Sequence, residues 1–319
     1  MTAMVSDDQL RLLAKVARMY HERGIRQAQI AVDLRLSPSR VSRLLSQAVE
    51  LGIVRTTVTL PSGVYTAIEE ELESRYGLLD SVVVDTGGSS SDVVRALGAA
   101  AASYISETLM SGDKIGISSW SATLLATVDA MRPKAKTLTD VVTQLVGGIG
   151  DPRVQVDATR LLDRFATITG GRTVFLPTPG VVADPGVRSA LFEDPTVVQV
   201  QRIWEELTVA IVGIGSIEPS PLLKRSGNAI DPAEQVELQK LGAVGDVCFR
   251  FFNSGGRLID SPFNGRIVGI SPETLKQVPR RVGVAGGANK IAAIHAAVIG
   301  NWVNTLITDL DTARAMIAR

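Results

Sequence analysis

The chain has 319 residues, too many for one small domain, and 45% of them are hydrophobic while only 4% are aromatic, so a sizeable core of Val, Ile, Leu and Ala is affordable. Thirty-three Lys and Arg balance 33 Asp and Glu, which excludes a protein that is basic throughout. A single cysteine excludes an internal disulfide framework, and no apolar run approaches the ~18 residues that a membrane span needs.

The N-terminus MTAMVSDDQL is acidic and polar rather than a signal peptide, so a cytoplasmic protein is expected. Charge is unevenly spread. Residues 1–59 hold nine Lys/Arg against five Asp/Glu, a net of +4, which leaves −4 for the remainder. That asymmetry predicts a phosphate-facing N-terminal module on a slightly acidic body. A first helix is predicted over 7–23, with Leu10, Leu13, Val16, Ala17 and Tyr20 inward and Gly24 ending it.

Residues 26–51 then read as two short helices joined by a tight turn. Ser37 is a good N-cap and Pro38 suits the first helical position. From there Val41, Leu44, Leu45 and Ala48 recur at helical spacing as one apolar stripe. Ser37, Ser39, Arg40, Ser42, Arg43 and Gln47 remain for the other side. A short helix with a buried stripe and a front of arginines and small hydroxyls suits the DNA major groove. The stretch is read as a helix-turn-helix, with Arg23 and Arg35 assigned to phosphates. Gly52 closes the second helix, and IVRTTVT (53–59) alternates like a short strand, a candidate wing. The DNA-binding domain is set at 1–60.

A linker helix is expected over 61–79, after Pro61-Ser62-Gly63. Val64, Ile68 and Leu72 are spaced by four, with glutamates between them. It is either a dimer contact or a solvated helix lying on its own body. From Asp80 short Val/Ile/Leu runs alternate with helical stretches to the end of the chain. Strands apolar throughout and separated by helices predict a doubly wound, mainly parallel sheet over 80–319. In GDVCFRFFNSGGRLID the turn residues Asn253 to Gly256 predict a β-hairpin around them, and Cys248 is expected to be a buried small hydrophobe.

In such a sheet ligands bind beyond the carboxyl ends of the strands. Four loops have that position: Ser118 to Ser121, Gly147 to Gly150, Gly213 to Ser216, and Gly286 to Lys290. A lysine in the first turn of a helix is opposed by the dipole, so Lys290 is read as placed to meet an anion. Asp246 lies inside an apolar run and needs partners. These are either the hydroxyls of a polyol or the cations Lys290 and Arg250. No pair of His or Cys has metal-ligand spacing, and no phosphate-binding or nucleophile motif is present, so neither cofactor nor metal is expected. His295, in IAAIHAAVI, reads as a core or partly buried histidine rather than a general base.

On the runs LSPSRVSRLLSQAVELGIV, GDKIGIS, VVTQLVGG, GAVGDVCFRFFNSGGRLID and VGVAGGANKIAAIHAAVIGNWVNTLITD, the chain resembles the SorC/DeoR-type sugar-binding transcriptional regulators of bacteria. The resemblance covers nearly the full length. It implies an effector domain with the fold of sugar-phosphate isomerases and deaminases, without their catalysis. It further implies a homo-oligomer, dimer or tetramer, acting on operator DNA under a sugar, sugar-phosphate or polyol effector. The family pocket carries over onto Ser118, Ser119, Trp120, Ser121, Thr123, Gln144, Asp246, Gly287, Ala288, Asn289 and Lys290. Two departures bear on the ligand. Val146 stands where some relatives have Arg or Lys, and ISSWSAT is bulkier than the family's Gly-rich loop. Both favour an unphosphorylated effector, while Lys290 keeps phosphate open. The competing reading is a sugar-phosphate isomerase or deaminase with an attached helical module, its acid/base pair Asp246 and Lys290.

Overall fold

The computed structural model describes residues 7–55, 63–86, 89–133, 138–226 and 230–319. The chain divides into two compact units, Met1–Ser62 and Gly63–Arg319.

The first unit holds three helices, α1 (Asp7–His21), α2 (Gln27–Asp33) and α3 (Pro38–Glu50). Ser37 is extended, and its hydroxyl accepts the Arg40 N–H at 3.3 Å. Pro38 follows at the first helical position, where no N–H is needed. Val41, Leu44, Leu45 and Ala48 are all buried, against Leu13, Val16, Ala17, Met19, Ile30 and Ala31. Leu10 and Tyr20, expected inside, are each 38% exposed. The seven-residue α2 is too short to cover both ends of the 15-residue α1. Ile53 to Arg55 form no strand, and the rest of the candidate wing, 56–59, lies outside the described residues.

The second unit opens with α4 (Thr66–Tyr76), β1 (Asp80–Val84), α5 (Ser90–Thr108), β2 (Asp113–Ile117), α6 (Ala122–Ala130) and β3 (Thr139–Gln144). It continues through α7 (Pro152–Thr169), β4 (Arg172–Val174), α8 (Pro185–Glu193), α9 (Pro195–Glu205), β5 (Val209–Gly213) and β6 (Gly215–Ser216). Then come α10 (Pro221–Arg225), α11 (Pro232–Lys240), β7 (Ala243–Val247), β8 (Arg250–Asn253) and α12 (Pro272–Gln277). It ends with β9 (Arg280–Val284), α13 (Ile291–Ile299), β10 (Thr305–Asp309) and α14 (Leu310–Ile317).

Seven strands form one parallel sheet in the order β1-β10-β9-β5-β2-β3-β4. Alternate residues feed two cores, one on each face. Val83 joins Leu72 of α4, Ala297 of α13 and Ala313 of α14. Val82 and Val84 join Leu97 of α5, Leu124 of α6 and Leu161 of α7. The sheet is therefore covered on both sides, as apolar parallel strands require. No helix among the described residues is long and apolar enough to cross a membrane.

The glutamates of α4 are not simply a solvated face. Glu69 accepts the Val83 N–H at 2.8 Å and Glu73 accepts the Ser81 N–H at 2.9 Å. Since β1 is an edge strand, these carboxylates take N–H groups that another strand would otherwise pair. With Leu72 fully buried, the helix lies on its own body.

A hairpin that the sequence did not announce precedes the expected one. β7 and β8 pair antiparallel with Val247 opposite Arg250, so the two-residue turn is Cys248-Phe249. Both residues have positive φ, 52° and 62°. That conformation normally selects Asn and Gly. Asn253 to Gly256 make the expected reversal as well: the Asn253 N–H donates to the Arg257 carbonyl and the Ile259 N–H to the Phe251 carbonyl, each at 2.9 Å, with Phe252 bridged antiparallel to Leu258. Cys248 is buried, as expected, and burial pushes its thiol pKa up.

Candidate effector site

The chain order runs β2-β3-β4 towards one edge of the sheet and β5-β9-β10 towards the other. The direction reverses between β2 and β5, and at such a point the loops diverge and leave a crevice. A cavity of about 680 Å³ lies there. Of the sequence-predicted residues, Ser118, Trp120, Ser121, Thr123, Asp246, Gly287, Ala288, Asn289 and Lys290 line it, together with Val146 and the loop from Gly213 to Ser216.

The walls are held by hydrogen bonds that follow from the local sequence. The Gly213 N–H donates to Ser118 Oγ at 3.2 Å, joining the loops after β5 and β2. Ser121 caps α6 by accepting the Leu124 N–H. Trp120 donates its indole N–H to the Gly147 carbonyl at 3.2 Å, which fixes the ring beside the cavity. The loop 286–290 hangs on Asp309. One carboxylate oxygen accepts the Gly287 N–H at 2.7 Å and the Thr312 hydroxyl at 2.7 Å, and the other caps α14 through the Thr312 N–H. Gly287 has φ +99°, which glycine alone adopts without strain, and a Cβ on Gly286 would lie 2.2 Å from the Asp309 carboxylate.

Two expected residues stand behind the wall rather than in it. Ser119 donates to the Val146 carbonyl at 3.0 Å and accepts from Gln144 Nε2. Gln144 Oε1 in turn accepts the Leu176 N–H at 2.8 Å. Both side chains tie β3 to its neighbours, and neither is among the residues that line the cavity. The glycine loop 147–150 is likewise absent from that lining. A Cβ on Gly147 would come within 2.2 Å of the Pro179 carbonyl, so this glycine serves close packing.

Asp246 and Lys290 have separate partners. Asp246 Oδ2 accepts the Phe249 N–H at 2.9 Å and supports the turn between β7 and β8. Lys290 donates to the Ile214 carbonyl at 2.9 Å. Arg250, the other cation considered for Asp246, donates instead to the Asn264 carbonyl. Burial raises the Asp246 pKa to about 6, opposed by the Phe249 N–H and the charge of Lys290. Burial lowers that of Lys290, opposed by Asp246. A carboxylate so desolvated gains from hydroxyl donors, and an ammonium so placed gains from acceptors.

Sequence reasoning missed Thr86, Ser90, Glu218, Ser220, Lys224, Asp309 and Asp311, which also line the cavity. Asp309 was within reach, since it ends the run NTLITD, a strand leading into a helix. Ser220-Pro221 carries the same cap signature as Ser37-Pro38. His295 is distant in role: it stacks edge-on against Tyr76, with ring centroids 5.6 Å apart. Among the described residues no group of three or more His, Cys, Asp or Glu is placed to hold a metal ion. In the first unit, Ser37, Ser39, Arg40, Ser42, Arg43 and Gln47 are all exposed.

Comparison with known proteins bears on both units. Residues 63–318 match the Sugar-bind family model, described as "Putative sugar-binding domain". The deoxyribonucleoside regulator of Bacillus subtilis is 34% identical over 311 residues, covering 96% of this chain and 97% of that protein. The transcriptional regulator LsrR of Klebsiella pneumoniae subsp. pneumoniae is 30% identical over 316 residues, 96% of this chain and 93% of that one. The crystal structure of the full-length sorbitol operon regulator SorC from Klebsiella pneumoniae superimposes with a TM-score of 0.71 at 25% identity, covering 98% of this chain and all of that one. The chain belongs to the sugar-binding SorC/DeoR-type family of transcriptional regulators.

Proposed function

We propose that α2 and α3 act as a helix-turn-helix on operator DNA, and that a carbohydrate in the 680 Å³ cavity controls this binding. The protein is a carbohydrate-responsive transcriptional regulator. The finer assignments are ours. Arg40, Arg43, Ser39, Ser42 and Gln47 contact base edges, with Arg23 and Arg35 on phosphates. Ser118, Ser121, Asp246, Asn289 and Lys290 hold the effector's hydroxyls and oxygens, while Trp120 packs against its apolar face.

The observation that carries this reading is the front of α3. Its apolar stripe of Val41, Leu44, Leu45 and Ala48 is buried, which leaves Arg40, Arg43, Ser39, Ser42, Ser46 and Gln47 exposed on a capped helix of groove-compatible length. A homo-oligomer is part of the reading, because paired recognition helices about 34 Å apart engage successive major-groove half-sites. The effector can displace this equilibrium only by binding one arrangement more tightly than the other.

The cavity is not proposed to turn its ligand over. Asp246 and Lys290 are each committed to a backbone partner rather than poised as an acid/base pair. The test is operator binding at low salt, measured by anisotropy with and without a panel of pentoses, hexoses, polyols and their phosphates. Specific binding with a steep salt dependence, released or strengthened by one member of the panel, is expected. Absence of specific DNA binding at low salt refutes the reading. Chemical conversion of a panel member refutes the non-catalytic part.

A further inference from the structure

Six charged side chains line the effector cavity: the carboxylates of Glu218, Asp246, Asp309 and Asp311 and the ammonium groups of Lys224 and Lys290. Among the described residues no arginine lines it. Carboxylates therefore outnumber cations by two. Glu218, Lys224 and Asp311 are exposed and stand at the mouth, whereas Asp246 and Lys290 are half-buried further in. A ligand entering meets an excess of negative charge first.

Both cations are already opposed. Lys224 Nζ meets a Glu218 carboxylate oxygen at 3.4 Å. Lys290 is the residue whose sequence position argues for a phosphorylated ligand. It donates instead to the Ile214 carbonyl at 2.9 Å, and the carboxylate of Asp246 balances its charge. Asp309 and Asp311 take up the positive end of α14, the first as its cap and the second in its first turn. The N-terminus of α6, capped by Ser121 and without an acidic residue in its first turn, does favour an anion. It supplies roughly half an elementary charge, against the about −1.5 to −2 of a phosphate monoester near pH 7. The balance goes against the ester. A hydroxyl suits these walls better. It donates to a carboxylate, which when ionised can only accept, and its oxygen accepts from an ammonium or a helix N–H. Asp246 has one oxygen, Oδ2, on the Phe249 N–H, which leaves Oδ1 for such a donor.

We propose that the effector is a neutral polyhydroxyl compound, a free sugar or polyol, and that the surplus of carboxylates around the cavity rejects its phosphate ester. This rests on the reading of the cavity as the effector site. Glu218 and Asp311 at the mouth are then the residues that set specificity against anions.

The experiment is thermal unfolding of the full chain near pH 7 and at matched ionic strength. The probes are ribose, fructose and mannitol, each beside its phosphate ester, and sodium phosphate beside sodium chloride. Any panel member that raises the midpoint is expected to be an unphosphorylated one, with its ester bound roughly tenfold or more weakly. Inorganic phosphate should not raise the parent's midpoint over chloride. Asp311→Lys combined with Glu218→Gln, both exposed positions, should create a phosphate-specific rise of about 2–4 °C. Lys290→Met locates any rise: one that it removes arises in the cavity, and one that it keeps is background to be subtracted. Should Lys290→Met fail to fold, every phosphate rise in the parent counts against the proposal. The proposal is overturned if an ester binds as tightly as its parent sugar, if phosphate acts in the cavity of the parent, or if the double variant gains no phosphate response. If the panel is silent, the inorganic phosphate comparison decides alone. An effector found among the esters would overturn this proposal and leave the regulatory reading standing, since that reading fails only on absent operator binding at low salt.

Discussion

Replacing Asp246 by Asn separates what this carboxylate does for the ligand from what it does to the fold. Asn keeps an acceptor for the Phe249 N–H, now met at 2.9 Å, and removes the charge. In the parent, burial raises the carboxyl pKa from 3.8 to about 6. A raised folded-state pKa means that stability from this group is full below pH 3.8 and is lost as pH rises through about 6. In a dry cavity the loss would be about 3 kcal/mol. Asp246 is only half-buried by surface and faces the cavity, so water screens it, and about 1–2 kcal/mol is the better expectation. Asp246→Asn should therefore be more stable than the parent by that amount at pH 7.5. The advantage should shrink through pH 6 and be absent by pH 3.8. At the same time, hydroxyl bonds to a charged acceptor, worth about 1.5–3 kcal/mol, are replaced by weaker neutral ones, so effector affinity falls roughly tenfold or more. Urea unfolding across this pH range gives the first quantity and effector titration gives the second. If the variant is less stable than the parent at pH 7.5, the carboxylate is a net structural anchor and the desolvation argument is wrong.

Arg43→Ala should weaken operator binding by about 1–3 kcal/mol and relax specificity at one base pair, as read by competition between operator variants. Lys290→Ala should abolish the effector response while leaving ligand-free operator binding intact, and loss of both would indicate a folding role. Asp309→Ala leaves the Gly287 and Thr312 N–H groups without their carboxylate, so it should cost about 1–3 kcal/mol of stability in urea and weaken effector binding together. Ser37→Ala removes the cap of α3 and should cost about 1 kcal/mol, detected as a lower unfolding midpoint of the N-terminal unit.

Much of the fold was legible because the sequence repeats one physical signal. Most strands of the large sheet carry Val, Ile or Leu at consecutive positions, and α5, α6 and α10 begin at a capping serine, so period and length sufficed to order these units. The stripe of α3 was read correctly for the same reason, and its cap was visible in Ser37-Pro38. The cavity was legible in its loops, since strand ends that precede helices are found by sequence alone. Which side of a loop a side chain takes was not. Ser119 and Gln144 have the composition of ligand-binding residues. Both are turned instead toward backbone groups of β3 and the segment after β4, a choice made by long-range pairing.

The turn at Cys248-Phe249 shows why the rest was hidden. Nothing in a Cys-Phe pair announces two successive residues with positive φ, whereas Asn253 to Gly256 carries every local sign of a hairpin. Tertiary packing added a turn that no local preference announces, beside the one that Asn253 to Gly256 make. Val247 and Phe252 are fully buried, and register between β7 and β8 puts these side chains inside only if the chain reverses at 248–249. The strain of two left-handed non-glycine residues, about 1–3 kcal/mol each, is then offset by that burial and by the Asp246 carboxylate accepting the Phe249 N–H. The strained turn is thus braced by a residue that also lines the cavity. The brace uses Oδ2 alone, so Asp246 serves the turn while lining the cavity.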